Sequence, residues 1–213
     1  MAREAKNFEY LLGGKAKGIS DLQLKEHFTL YEGYVKKLNE IWENLRTVDR
    51  SAPNYSFNEY SELKRREPVA FNGTVLHELY FENLGDGSTR PDAEAKRIIT
   101  GSFGSFDDWI TDAKACLMSA HGWLVVTFDY TEKRLFNNLI RSEHDTGLMA
   151  NQHIMMALDA WEHAYFLDYQ TKKEDYVANV LSGLNWDVIN RRLRAGGSPV
   201  EKAKPSHEAV MRH

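Results

Sequence analysis

The chain has 213 residues, 42% of them hydrophobic and 27% charged, and a formal net charge of −4. That is enough for one large domain or two small ones with a real core, and the acidic balance argues against nucleic acid as the main partner. A single cysteine, Cys116, excludes an internal disulfide and cysteine-rich zinc modules. No run reaches the roughly 18 apolar residues of a membrane span, and the charged opening Met1-Ala2-Arg3-Glu4-Ala5-Lys6 is unlike a secretory signal, so a cytoplasmic protein with no membrane partner is expected.

Leu24, Phe28, Tyr31, Val35, Leu38, Ile41 and Leu45 recur every three or four residues, so a long helix is expected from Leu22 to about Leu45, with Asp21 at its start. Ser51-Ala52-Pro53-Asn54 breaks the pattern, and a second helix is expected over Val69–Asn83. Gly85-Asp86-Gly87-Ser88-Thr89-Arg90-Pro91 reads as a linker, so the first unit is placed at 1–88 and the second at 89–195. In the second unit, helices are expected over Ala93–Thr100 and from Ser105 or Asp107 to Met118. Cys116 falls in that second helix as a buried, inert thiol. The β-branched and aromatic run Trp123–Phe128 reads as a strand, Asp129–Lys133 as a turn and Arg134–Ile140 as a second strand. The short apolar run Ile154–Leu158 is a candidate third strand that would deliver Asp159 at its end. Helices at Glu174–Leu184 and Trp186–Leu193 follow, and 196–213, with His207 and His213, reads as a flexible, solvated tail. The layout is α+β: a helical N-terminal unit, then a mixed unit with a small antiparallel sheet.

Asp159-Ala160-Trp161-Glu162-His163-Ala164-Tyr165 places a carboxylate and an imidazole four residues apart. Histidine nitrogens with one carboxylate oxygen suit iron, manganese or zinc. Taken alone, that spacing is more often a surface pair on a helix. The full string, continued by Leu167-Asp168-Tyr169-Gln170, Asp175-Tyr176 and Asn185-Trp186, closely resembles the C-terminal signature of the iron/manganese superoxide dismutases. Phe103-Gly104-Ser105-Phe106, Gly122-Trp123-Leu124-Val125 and Asn190-Arg191-Arg192 extend the resemblance over most of the chain.

The resemblance implies an N-terminal α-helical hairpin followed by a C-terminal α/β domain with a three-stranded antiparallel sheet. It also implies superoxide as substrate, one iron or manganese ion per subunit, and a homodimer or homotetramer; iron, manganese or both remain open. Asp159 and His163 match two of the family's ligands, and His77, within Asn72–Phe81, matches a third despite departures at Leu76 and Glu78. For the first ligand, an ungapped match puts Glu26 at the ligand position and His27 beside it. At about 100° per residue, His27 and Tyr34 differ by about 20° on the helix and Glu26 and Tyr34 by about 80°. His27 is therefore assigned, with Glu26 as the alternative.

Tyr34 matches the family's gateway tyrosine, and His144 stands where manganese-type members carry a glutamine that bonds the metal-bound solvent. Trp123 and Trp161 would wall the metal, and Glu162 would reach His163 of a second subunit. Leu30 and Phe166 replace a histidine and a tyrosine that pair across the family's dimer; Tyr31 is expected to take over part of that role. His121 and His153 are read as structural. The alternative reading is a relative of the same fold, structural or regulatory, with an altered metal site and no dismutase activity.

Overall fold

Side chains at the helix starts explain where the helices of the computed structural model begin. The model describes residues 2–147 and 149–197. Helix α1 (Asp21–Thr47) is capped by Ser20, whose hydroxyl accepts from the Gln23 N–H, and Asp21 complements the helix dipole. Its inward stripe is Leu24, His27, Tyr31, Val35, Leu38 and Ile41. Helix α2 (Glu59–Asn83) is capped by Asn58 and packs antiparallel to α1. It starts ten residues before the expected Val69, because the Asn58 cap and the acids Glu59 and Glu62 start it ahead of Pro68, and the helix runs through that proline.

Helices α3 (Ala93–Phe103) and α4 (Phe106–Ser119) follow, each opened by a capping side chain, Asp92 and Ser105. Gly104 joins them at φ 92, a left-handed conformation that suits glycine. The sheet comprises β1 (Trp123–Asp129), β2 (Arg134–Ile140) and β3 (Gln152–Asp159). It is antiparallel with order β2-β1-β3, and every residue of the central β1 is buried. The register sets Trp123 opposite Asp159 on β3 and opposite Ile140 on β2. Strand β3 is longer than expected at its start and carries Asp159 as its last residue.

A 3-10 turn (Glu162–Ala164) and a short α5 (Phe166–Tyr169) come next, then α6 (Lys173–Ser182) and α7 (Trp186–Gly197). The two turns carry too few residues for a periodic signal and were not anticipated. The hairpin is tied to the sheet at the foot of α2. Asn83 donates to the Ala157 carbonyl at 2.8 Å, and Arg192 of α7 donates to Asn83 Oδ1 at 2.7 Å. Cys116 is half-buried, and burial pushes its thiol up to about 11, so it stays protonated and inert. The part of the expected tail beyond Gly197, with His207 and His213, lies outside the described residues.

Candidate metal centre

Four elements converge on one point. The long α1 carries His27 and the antiparallel α2 carries His77; β3 ends on Asp159 and the following turn returns His163. One candidate ligand atom from each of these residues lies within 4.8 Å of the others. Asp159 Oδ2 is 3.2 Å from His27 Nε2, 3.7 Å from His77 Nε2 and 3.1 Å from His163 Nε2. His27, His77 and Asp159 are buried, and His163 is about one-third exposed. Glu26, the alternative first ligand, is exposed on α1 outside the cluster, as its 80° offset requires. His121 and His153 are exposed and outside it as well.

The surroundings prepare these groups as ligands. His77 Nδ1–H donates to the Gly73 carbonyl at 2.5 Å, which leaves the Nε2 lone pair facing the cluster. Asp159 Oδ1 accepts from the Trp161 N–H at 2.8 Å, and the Asp159 carbonyl accepts from Tyr176 at 2.7 Å. Gln23, buried at the start of α1, donates to the His163 carbonyl at 2.6 Å and accepts from the Leu167 N–H at 3.1 Å. Gln23 thus fixes the turn that carries His163 to the helix that carries His27. Gln23 was missed at the level of sequence, because no local motif marks a contact between residues 140 positions apart.

Burial holds the His27 imidazole below its ordinary range, with partial compensation from Asp159. Burial, then the neighbouring His27, takes His77 well below it. For Asp159, burial alone would raise the carboxyl; the facing histidines, His163 first, overcome it and hold the group far below the usual carboxylate range. Neutral imidazoles at His27 and His77 beside an ionised Asp159 are the protonation states that metal binding needs. The buried Nε2 atoms of His27 and His77 have no hydrogen-bond partner. Buried polar atoms left unpaired are costly, and a cation between them would satisfy both, so the residues present fit a single iron or manganese ion.

Aromatic side chains enclose the cluster. Trp123 sits edge-on to His77 at 4.9 Å between ring centres, and Trp161 stacks on His163 at 6.1 Å. Tyr34 lies against His77 at 5.3 Å. Gly73 makes that position possible, because a Cβ there would lie 2.6 Å from the Tyr34 ring. Trp123 Nε1–H donates to His144 Nδ1 at 2.7 Å, and His144 Nε2 is 2.7 Å from the Tyr34 hydroxyl. An indole only donates, so Nδ1 accepts and the neutral ring carries its proton on Nε2, which donates to Tyr34. Both ring nitrogens are therefore engaged by side chains. Burial lowers His144 and raises Tyr34, so both stay neutral.

On the outer face, Leu30 and Phe166 are exposed near Glu162 and His163. Tyr31 faces inward instead: its hydroxyl donates to Glu78 Oε1 at 3.0 Å and accepts from the Lys6 N–H at 2.9 Å. One residue further along α1 turns the side chain by about 100°, which takes Tyr31 off the Leu30 face. It packs in the core behind His77 and supplies nothing to the outer face.

Residues 91–192 match the family model for the iron/manganese superoxide dismutases, C-terminal domain. A superoxide dismutase (Fe) of Aquifex pyrophilus is 36% identical over 210 residues, covering 95% of this chain and 93% of its own length. A superoxide dismutase (Fe) of Cupriavidus metallidurans is 34% identical over 186 residues, 85% of this chain and 91% of that one. A superoxide dismutase (Mn) of Haloferax volcanii is 30% identical over 165 residues, 76% and 79%. With the ligand geometry and the fold they accompany, these similarities identify the chain as a member of the iron/manganese superoxide dismutase family.

Proposed function

We propose that the protein is a superoxide dismutase in which His27, His77, Asp159 and His163 hold one iron or manganese ion. The observation that carries this reading is the buried cluster of three imidazoles and one carboxylate, with two imidazole nitrogens otherwise unpartnered. Bound there, iron or manganese supplies a one-electron cycle between the +3 and +2 states, which zinc lacks. Two superoxide ions and two protons give one dioxygen and one hydrogen peroxide, so the protein must also deliver protons.

The chain of Trp123, His144 and Tyr34 fits that need. Trp123 fixes the His144 tautomer, and the His144 N–H donates to the Tyr34 oxygen, which turns the Tyr34 hydroxyl proton away from His144. Tyr34 then offers a proton at the mouth of the cluster, and the His144 N–H stays bonded to its oxygen as a hydrogen-bond donor when that proton leaves. Trp123 and Trp161 exclude water, which strengthens every charge interaction inside.

A homodimer, or a homotetramer built from it, belongs to the same reading. His163 is the one candidate ligand with substantial exposure, and Leu22, Leu30, Phe166 and Leu167 lie exposed around it and Glu162. A second subunit would cover this apolar face and set its Glu162 against His163, fixing that imidazole. We also read the enzyme as a cytoplasmic antioxidant, which fits the lone unpaired Cys116; cell fractionation tests it. The division near residue 88 is kept as a working boundary between two units.

Chelation and restoration of the ion test the function. Superoxide decay should stop in the ion-free protein and return with iron or manganese; undiminished decay by the ion-free chain contradicts the proposal.

A further inference from the structure

Helix α2 positions more than a ligand. Its Asn72 side chain donates from Nδ2 to the main-chain carbonyl of His144 at 3.0 Å. That carbonyl belongs to a turn with an uncommon backbone. Glu143 has φ 55 and His144 φ 62, two successive left-handed residues that carry a Cβ, and Gly147 follows at φ 99. Such conformations persist where the surroundings over-determine them. Arg66, also on α2, forms an ion pair with Glu143 at 3.6 Å, but both side chains are exposed and such pairs contribute little. The half-buried amide of Asn72 is the directional hold on the His144 main chain. At the other end of the residue, the ring bonds Trp123 and Tyr34 at 2.7 Å each. A displacement of a few tenths of an ångström lengthens at least one of these bonds towards the limit of a hydrogen bond.

We propose that Asn72 is a positioning residue for dismutation: its amide fixes the main chain of His144 so that the imidazole reaches Trp123 and Tyr34 together. The catalytic half of this proposal rests on the function proposed above. The positioning half has its own readout, the indole N–H resonance of Trp123 in the metal-free full chain, assigned with Trp123→Phe.

The test uses Asn72→Asp, which keeps the shape and sets a carboxylate oxygen against the carbonyl, and Asn72→Ala, which removes the group. In both, the Trp123 resonance should move towards its position in His144→Ala. Superoxide decay per bound iron or manganese ion should fall by about tenfold. Placed in the His144→Ala background, neither substitution should lower the rate further, because the two residues act through one bond network. An unmoved resonance in both variants overturns the positioning role. A moved resonance with unchanged decay, or losses that multiply in the double variant, overturns the catalytic role. If the unmodified chain loaded with either metal leaves superoxide untouched, the proposed function falls and the catalytic half with it, while the resonance still decides whether Asn72 holds His144.

Discussion

Single side chains decide whether the cluster can hold an ion. His27 is the sharpest case, because Glu26 beside it is also a possible ligand and points away. His27→Ala should lose most of its metal during purification while Glu26→Ala keeps a full complement, as read by elemental analysis; the reverse result would mean that α1 is turned by one residue. Gly73→Ala is predicted to act through Tyr34. The added methyl would lie 2.6 Å from the ring, so Tyr34 must move and its bond to His144 must lengthen. Dismutation should fall by about tenfold or more with metal still bound, and an unchanged rate would show that Tyr34 has room to spare. Much of this scale was legible in sequence. The Asp159–Tyr165 string pointed to Asp159 and His163, which lie in the cluster, and a helical angle separated His27 from Glu26. Gln23 and Asn72 were not legible as contacts, since each acts on a partner more than 70 residues away and leaves no local spacing to read.

At the scale of elements, two features depart from simple sequence rules. Helix α2 carries Pro68 in its interior, where it lacks an N–H donor and crowds the preceding turn. Pro68→Ala should stabilise the protein by up to about 3 kcal/mol, measured by denaturant unfolding; a loss would mean that Pro68 is needed to bring His77 into place. The first residues of the chain are strapped to the hairpin. Arg3 donates to both oxygens of the buried Glu78 at 2.9 and 2.8 Å, and Lys6 lies 3.1 Å from it. Behind them Phe8 packs on Phe81, whose ring meets His27. Arg3→Ala should cost about 1–3 kcal/mol: breaking a buried pair costs more, but Arg3 is partly exposed and Lys6 and Tyr31 still face the carboxylate. The same unfolding measurement checks it, with no change counting against the strap. Strand β1 up to Phe128 was legible as a β-branched and aromatic run, and β2 as the segment after the turn at Asp129–Lys133. Glu78 was seen only as a departure from a motif, because the cations that compensate it lie more than 70 residues away.

For the whole molecule, the buried charges couple stability to pH. His27 and His77 are held below the ordinary imidazole value, so below about pH 6.5 the unfolded chain takes up protons that the folded one refuses. Their contribution is full above that pH and is lost as pH falls, by up to about 1.4 kcal/mol per pH unit for each histidine. Asp159 acts in the same direction at lower pH: its depressed carboxyl contributes above about 3.9 and loses that contribution in stronger acid. The metal-free protein should show a flat stability between pH 7 and 8 and a decline that begins near 6.5, and a flat profile down to pH 5 would contradict the buried, neutral state of the two imidazoles. The helical first part and the mixed second part were readable from the break at Gly85–Pro91 and the strand signals that follow it. What joins the two parts was not: the cluster takes His27 and His77 from the hairpin, Asp159 from the end of β3 and His163 from the turn after it, and only the folded chain brings them within 4.8 Å.

As a redox centre for superoxide, the assembled cluster should act on that anion only with its metal in place, which superoxide decay by the purified protein, reconstituted separately with iron and with manganese, measures. Rapid decay with one or both metals is predicted, and the ratio of the two rates identifies the metal this site is tuned for. Protein that retains an ion per chain and leaves superoxide decay unaccelerated would contradict this and favour a structural or regulatory relative of the same fold with an altered metal site.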